Sequence, residues 1–187
     1  MILIFDLDDT LYEEKTFVYS GFHAVAKYLN QKHGYDHDES FNFMKNTLNK
    51  YGRGRVFDDL LKSKNLYSKR YVKACVSIYR LHKPNIKLSQ EAAGFLRIWK
   101  GNIYLVTDGN KLVQKNKVNA LSLSKYFKKI FITHCYGLQN SKPSPHCFEI
   151  IKKLENCKWE DLIYIGDNPA KDFVTLNKFG ANTIRVL

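Results

Sequence analysis

Short apolar runs separated by amphipathic segments recur over much of the chain. The runs cover Ile2 to Phe5, Ile103 to Val106, Ile130 to Thr133, Leu162 to Ile165 and Thr183 to Leu187. Short, mostly apolar runs favour central strands that are buried on both faces of a parallel sheet. The helical stripes between them contain Ala92, Phe95, Leu96 and Trp99; Leu112, Val118 and Leu121; Phe148, Ile151 and Leu154; and Phe173, Leu176 and Phe179. Strands alternating with helices predict an α/β fold built on a Rossmann-like, doubly wound parallel sheet.

The stretch after the first apolar run has a different pattern. Residues 13–84 contain no convincing strand, and their apolar positions recur at helical spacing. Pro84 biases the residue before it away from helix, so the chain is expected to return to the sheet in an extended conformation. We therefore predict a core domain made of residues 1–12 and 85–187, with an all-α domain inserted at residues 13–84.

Polar side chains follow four of the predicted strands. They lie at Asp6, in "TDGN" (Thr107 to Asn110), in "SKPSP" (Ser141 to Pro145) and in "GDNPAKD" (Gly166 to Asp172). Ligands of open α/β sheets bind beyond the carboxyl ends of the strands, so these groups are expected to share one site. Several carboxylates with one lysine suit phosphoryl transfer, in which a carboxylate can be the nucleophile and Mg²⁺ takes oxygen ligands. A bound cation would also relieve the repulsion among the crowded aspartates of "DLDDT".

These segments resemble the four motifs of the haloacid dehalogenase (HAD) superfamily, in the family's order. "DLDDT" resembles its D-x-D-x-T signature, and Thr107, Lys142 and the G-D-x-x-x-x-D of Gly166 to Asp172 match the other three. The inserted helical segment resembles the C1 cap of subfamily I. The resemblance therefore implies a HAD core domain with a helical C1 cap.

The resemblance also implies catalytic roles, carried over position by position. Asp6 would be the nucleophile, and Asp8 the general acid and then the general base. Thr107 and the backbone N–H of Asp108 would bind phosphate oxygens, although the Asp108 side chain could instead cap the following helix. Lys142 would neutralise charge at the nucleophile and the phosphoryl group.

The metal site implied by the resemblance holds Mg²⁺. Its ligands would be the Asp6 and Asp167 carboxylates and the main-chain carbonyl of Asp8. Asp172 would act through a water molecule or hold the motif's lysine. Asp9 is expected to be a turn or helix-cap residue.

Arg53 and Arg55 are the candidate substrate-binding residues of the inserted domain. They lie beside glycines in "YGRGRVFDDL", and only 6 of the 30 basic residues of the chain are arginine. An arginine in this loop could contact a second anionic group of a substrate. Alternatively, both could be solvated side chains that pair with Asp58 or Asp59.

The formal net charge of +12 first suggests a nucleic-acid partner. The basic residues are scattered and mostly lysine, which makes nucleic acid unlikely and favours a small anionic substrate.

The four cysteines show no C-x-x-C spacing, which is typical of free thiols in a reducing compartment. No signal peptide or 18-residue apolar run is evident, so we expect a cytoplasmic protein with no membrane partner.

The predicted function is that of a Mg²⁺-dependent phosphatase acting on a small phosphorylated metabolite, a sugar phosphate or a nucleoside monophosphate. A phosphomutase of the same superfamily keeps both aspartates and stays an alternative. A haloacid dehalogenase shares the core, but its signature does not keep the aspartate found here at position 8. A non-catalytic RNA- or protein-binding module is an alternative of another class. Neither the oligomeric state nor the identity of the substrate follows from the sequence.

Overall fold

The computed structural model describes residues 1–187. It contains five strands: β1 (Ile2–Phe5), β2 (Ile103–Thr107), β3 (Lys129–Ile132), β4 (Leu162–Gly166) and β5 (Asn182–Arg185). The helices are α1 (Glu14–His33), α2 (His37–Tyr51), α3 (Val56–Ser63), α4 (Lys69–Leu81), α5 (Gln90–Ile98), α6 (Lys111–Ala120), α7 (His146–Glu155), α8 (Pro169–Asp172) and α9 (Val174–Lys178). The chain divides into two compact units, residues 1–14 with 86–187 and residues 15–85.

The first unit is built around a five-stranded sheet in which every neighbouring pair is parallel, in the order β3-β2-β1-β4-β5. The predicted α/β fold class is therefore confirmed. From the central strand β1, the chain adds β2 and β3 on one side and β4 and β5 on the other. The strand order reverses beside β1, and such a switch point opens a crevice at the carboxyl ends of the strands.

The core of this unit is formed by the strands and the helices packed on them. Ile4, Tyr104 and Tyr164 of the three middle strands have no exposed surface. Three positions that the helical pattern placed on buried faces are instead exposed, namely Leu112, Leu154 and Phe179. On α6 the buried face contains Gln114, Lys117 and Val118, because polar groups inside the unit bind the first two.

The second unit contains only helices, α1 to α4. Asp36 and Ser68 cap α2 and α4, each accepting a hydrogen bond from a backbone N–H of the first turn. Its apolar core includes Val25, Leu29, Met44, Leu60 and Cys75, all fully buried. None of the helices is both long and apolar enough to cross a membrane.

Candidate active site

The ends of β1 and β4 bring the first and last motifs together. The Asp6 N–H continues the ladder by donating to the Ile165 carbonyl at 2.8 Å, so Asp6 lies just beyond β1. Asp167 directly follows β4, and Thr107 is the last residue of β2. Adjacent parallel strands end at the same edge of a sheet, which is why residues far apart in sequence meet here.

The ammonium group of Lys142 is the centre of this edge. Its Nζ donates to Asp6 Oδ1 at 2.8 Å, to Asp172 Oδ1 at 2.7 Å and to the Tyr164 hydroxyl at 2.9 Å. Only 4% of the Lys142 side chain is exposed. Because an ammonium has three protons to donate, these three acceptors satisfy all of them. The lysine is thus held in one place by two carboxylates and a phenol.

Asp172 is placed by the turn that follows β4. Its Oδ2 accepts the Asn168 N–H at 3.0 Å, and its side chain is almost fully buried. A Cβ on Gly166 would lie 2.6 Å from Asp172 Oδ2, so only glycine lets the strand end pass this close to the carboxylate. The spacing of glycine and aspartate in "GDNPAKD" therefore has a steric cause.

The carboxylates of Asp6, Asp167 and Asp172 form a set that could hold a metal ion. One oxygen of each lies within 4.8 Å of the others. Three carboxylates face a single ammonium, which leaves an excess of negative charge that a divalent cation would balance. An all-oxygen, anionic ligand set fits Mg²⁺ by its chemistry.

The electrostatics of this edge favour binding of positive charge. Burial raises the pKa of Asp6 to about 7, while Lys142 opposes that shift and Asp172 adds to it. Burial likewise raises the pKa of Asp167, and the charge of Asp172 adds to the effect. Burial acts to lower the pKa of Lys142, but Asp6 and Asp172 outweigh it and the pKa lies above its usual value. The site holds protons tightly because it is buried and rich in carboxylates.

Asp8 lies outside the three-carboxylate set and has its own partners. Lys117 Nζ and the Tyr12 hydroxyl donate to Asp8 Oδ1, at 2.7 and 2.5 Å, and Gln114 Nε2 donates to Oδ2 at 3.0 Å. Asp9, with a φ of 51°, turns the chain and accepts the Glu14 N–H that begins α1, as predicted for a cap residue. The two acids implied to do chemistry, Asp6 and Asp8, therefore lie in different hydrogen-bond environments.

Thr107 and Asp108 follow β2 in the second motif. Thr107 Oγ1 accepts a hydrogen bond from Gln114 Nε2 at 2.6 Å. The Asp108 carboxylate accepts from the Thr133 hydroxyl and, at 3.0 Å, from the Lys142 N–H. The suggested capping role for Asp108 is wrong, because Asn110 caps α6. Its side chain instead fastens the loop that carries Lys142.

The two arginines belong to a short 3₁₀ segment of the helical unit. Arg55 donates from Nε and Nη2 to the two carboxylate oxygens of Asp59, at 2.6 and 3.1 Å. The sequence left open that Arg55 pairs with a nearby aspartate instead of binding substrate, and the structure shows this pairing. Arg53 lines a cavity of about 150 Å³ together with apolar and aromatic side chains of the same unit.

Four residues of the site were not anticipated from the sequence: Tyr12, Gln114, Lys117 and Tyr164. Gln114, Lys117, Val118 and Leu121 follow the i, i+3, i+4, i+7 spacing of one helix face, and all four are buried. Polar residues within an apolar stripe were the available signal, because a buried amide or ammonium needs a partner. Tyr164 gave no such signal, since tyrosine is common in buried strands.

Comparisons with known proteins agree with this geometry. A family model described as haloacid dehalogenase-like hydrolase matches residues 3–186. Glyceraldehyde 3-phosphate phosphatase from Pyrococcus furiosus is 28% identical, over 98% of this chain and 79% of its own length. The enzyme of the same name from Methanocaldococcus jannaschii is 27% identical, over 99% and 84%.

Solved structures share this fold. The HAD hydrolase YfnB from Bacillus subtilis, in a magnesium-bound crystal structure, superposes with a TM-score of 0.70 at 17% identity, covering 99% of this chain and 86% of that one. The likeness supports the architecture of the sheet and helices. From the family match over nearly its whole length, we conclude that this chain belongs to the haloacid dehalogenase-like hydrolase family.

Proposed function

We propose that the protein is a Mg²⁺-dependent phosphatase that hydrolyses a small phosphorylated metabolite through an aspartyl-phosphate intermediate. The observation that carries the proposal is the set of Asp6, Lys142, Asp167 and Asp172 at one edge of the sheet, with Asp8 two residues after the nucleophile. Two relatives that align over nearly the whole chain are named phosphatases, which favours hydrolysis over the phosphomutase alternative. Membership of a hydrolase family argues against a non-catalytic binding module.

In the first step, an Asp6 carboxylate oxygen attacks phosphorus and the bond from phosphorus to the leaving oxygen breaks. Asp8 gives its proton to that oxygen, so the product leaves as an alcohol. Lys142 Nζ lies 2.8 Å from Asp6 Oδ1 and supplies positive charge beside the forming acyl phosphate bond. The Thr107 hydroxyl and the Asp108 N–H bind the phosphoryl oxygens.

In the second step, Asp8 takes a proton from a water molecule that attacks phosphorus. The bond between Asp6 and phosphorus breaks, which restores the Asp6 carboxylate and releases inorganic phosphate. Tyr12, Gln114 and Lys117 hold the Asp8 carboxylate for this second role, because a carboxylate accepts several hydrogen bonds at once.

The Asp6 and Asp167 carboxylates and the main-chain carbonyl of Asp8 are the proposed Mg²⁺ ligands, and Asp172 acts through water or through Lys142. When bound, Mg²⁺ offsets the charge of the carboxylates and of the phosphoryl oxygens. Asp172 has a second task, since it holds the Lys142 ammonium at 2.7 Å.

The helical unit is proposed to be the cap that selects the leaving group. It is inserted between β1 and β2, and it presents Arg53 at an apolar cavity. Glyceraldehyde 3-phosphate is the first substrate to test, because it is the substrate named for the relatives. A cytoplasmic location is proposed, supported by four cysteines that are free thiols.

Release of inorganic phosphate from a panel of substrates tests the function. The panel contains p-nitrophenyl phosphate, glyceraldehyde 3-phosphate, sugar phosphates and nucleoside monophosphates, each with Mg²⁺ and with a chelator. We expect turnover that needs Mg²⁺ and is lost in Asp6→Asn, and a raised Mg²⁺ requirement in Asp167→Ala. Isomerised sugar phosphate without released phosphate would instead indicate a phosphomutase.

The arginines are tested as a matched pair. We expect Arg53→Ala to lower kcat/KM on the preferred metabolite by roughly tenfold, as for one lost charged hydrogen bond, and to spare p-nitrophenyl phosphate. Arg55→Ala should have a smaller effect, because its guanidinium is paired with Asp59. Unchanged kcat/KM in both variants across the panel would remove the arginines from substrate recognition.

A further inference from the structure

Gln114 joins two groups of the site that perform different tasks. It lies in the first turns of α6, and 1% of its surface is exposed. Its single amide nitrogen donates to Asp8 Oδ2 at 3.0 Å and to Thr107 Oγ1 at 2.6 Å. Both protons of the amide are therefore used, one on the proposed acid and one on the proposed phosphate-binding hydroxyl.

The orientation of this amide follows from its partners. In its ionised form, to which Lys117 also donates, Asp8 has no proton to donate, so the nitrogen rather than the oxygen of Gln114 faces it. The same nitrogen reaches Thr107, whose hydroxyl must then accept the hydrogen bond. A hydroxyl that accepts in this way keeps its own proton for another acceptor.

Two further features hold Gln114 and Asp8 in these positions. Lys117, one turn along α6, donates to the other oxygen of Asp8 at 2.7 Å, and 3% of its side chain is exposed. A Cβ on Gly109 would lie 3.3 Å from Gln114 Cγ and Cδ, and the φ of Gly109 is +133°. The second motif thus packs closely on the amide, and a side chain at position 109 would crowd it.

We propose that Gln114 is a positioning residue that sets the polarity of the Thr107 hydroxyl. With Gln114 donating to Thr107 Oγ1, the hydroxyl proton points to a phosphoryl oxygen of the substrate rather than to a protein group. The ligand concerned is the phosphoryl group of any phosphate monoester, or inorganic phosphate. This inference rests on the phosphatase function proposed above.

The test compares Gln114→Met, Thr107→Val and the double variant, with wild type and Asn119→Met as references. Methionine keeps the length of glutamine but has no donor, and Asn119 is an exposed amide on the same helix. The dissociation constant of inorganic phosphate is measured by calorimetry in Mg²⁺, and kcat/KM is measured on p-nitrophenyl phosphate. We expect Gln114→Met to weaken phosphate binding by roughly three- to tenfold, as for one hydrogen bond, and Asn119→Met to leave it unchanged.

The double variant separates positioning from general structural damage. In the Thr107→Val background there is no hydroxyl to orient, so Gln114→Met should add less than about twofold to the loss. An equal loss in both backgrounds, or a wild-type dissociation constant for Gln114→Met, would overturn the proposal.

A second variant covers the case in which Gln114→Met does not fold. Gln114→Glu has the same shape but places an acceptor at Thr107, which would take the hydroxyl proton away from phosphate. We expect a loss of phosphate binding greater than tenfold, and a clearly smaller loss in the Thr107→Val background. Equal losses in the two backgrounds would again contradict the proposal.

If wild type neither binds phosphate nor hydrolyses p-nitrophenyl phosphate, the proposed function itself fails and this inference falls with it.

Discussion

Asp6 and Glu155 are both acids in contact with a lysine, yet their pKa values shift in opposite directions. At the carboxyl ends of the strands, burial raises the pKa of Asp6 to about 7. At the amino ends, the hydrogen bond from Lys128 is the main cause that lowers the pKa of Glu155, and bonds from Tyr104 and Asn102 act in the same direction. The two acids differ in how strongly burial acts on them, which is the main cause for Asp6, and in how many groups donate hydrogen bonds to each carboxylate.

Three side chains donate hydrogen bonds to Glu155, whereas one side chain, Lys142, and the Leu7 N–H donate to Asp6. Glu155 Oε1 accepts from Lys128 Nζ at 2.7 Å and from the Tyr104 hydroxyl, and Asn102 Nδ2 lies 3.3 Å from both carboxylate oxygens. Lys142, by contrast, divides its protons between Asp6, Asp172 and a phenol. A carboxylate that accepts hydrogen bonds from several donors stabilises the fold. A buried carboxylate with few donors keeps unsatisfied negative charge that a cation can bind.

The largest effect is expected for Asp6→Asn. Removal of the nucleophile should lower kcat by about 10³-fold or more. The melting temperature without metal should be unchanged or higher, because burial disfavours the charged form of this carboxylate. Phosphate release and thermal unfolding are measured together, with Glu155→Gln as the acid-to-amide control at the other end, which should keep wild-type kcat. Activity within tenfold of wild type in Asp6→Asn would contradict the aspartyl-phosphate mechanism.

The second expectation concerns the pH dependence of Mg²⁺ binding. Because the pKa of Asp6 is raised to about 7, a proton competes with the metal for this carboxylate below that pH. The Mg²⁺ dissociation constant should rise as the pH falls from 8 to 6, by up to about tenfold per pH unit below the pKa. Calorimetric titrations at several pH values measure it. An affinity independent of pH would mean that Asp6 is not a ligand.

A change at the other cluster should affect stability and spare catalysis. Glu155→Ala removes the acceptor of Tyr104, Asn102 and Lys128, and we expect the free energy of unfolding to fall by about 1–2 kcal/mol. The lowered pKa of Glu155 means that its contribution is present above the usual value of 4.5 and is lost as the pH falls through the lowered value. Urea unfolding at pH 7 and at pH 3 should therefore show a difference that shrinks in acid. A kcat below half that of wild type would argue against this separation.

The smallest effects come from a matched pair of tyrosines that are both fully buried on strands. Tyr164→Phe removes one of three acceptors of Lys142, and we expect kcat to fall by roughly three- to tenfold. Tyr104→Phe removes a donor to Glu155, so it should lower stability by about 1 kcal/mol and leave kcat unchanged. The comparison between the two clusters fails if the two variants change kcat equally.

Much of the sheet could be predicted because its strands are buried on both faces. The predicted run from Ile2 to Phe5 coincides with β1, and the other four predicted strands differ from the observed ones by one or two residues. The helix faces were less predictable. Leu112 lies on the exposed side of α6, since Gln114 and Lys117 take the buried positions that apolar pattern alone assigns elsewhere.

The candidate site divides in the same way. The motif residues could be located because each follows a strand, and parallel strands end at one edge. The hydrogen-bond partners of the motif residues could not be located from the sequence. The bonds between Gln114 and Asp8 and between Lys142 and Tyr164 join residues that are distant in sequence. The assigned roles of the motif residues stay predictions until the variants above are measured.

By itself, the sequence determined the family, the parallel sheet and the identity of the acids, since these depend on periodicity and on local motifs. Only the tertiary structure decided which groups donate hydrogen bonds to each acid. Lys142 donates to both Asp6 and Asp172, whereas Asp8 accepts hydrogen bonds from Tyr12, Gln114 and Lys117. The pKa of a carboxylate and its fitness for metal or proton transfer depend on burial and on such neighbours, and packing of the folded chain sets both.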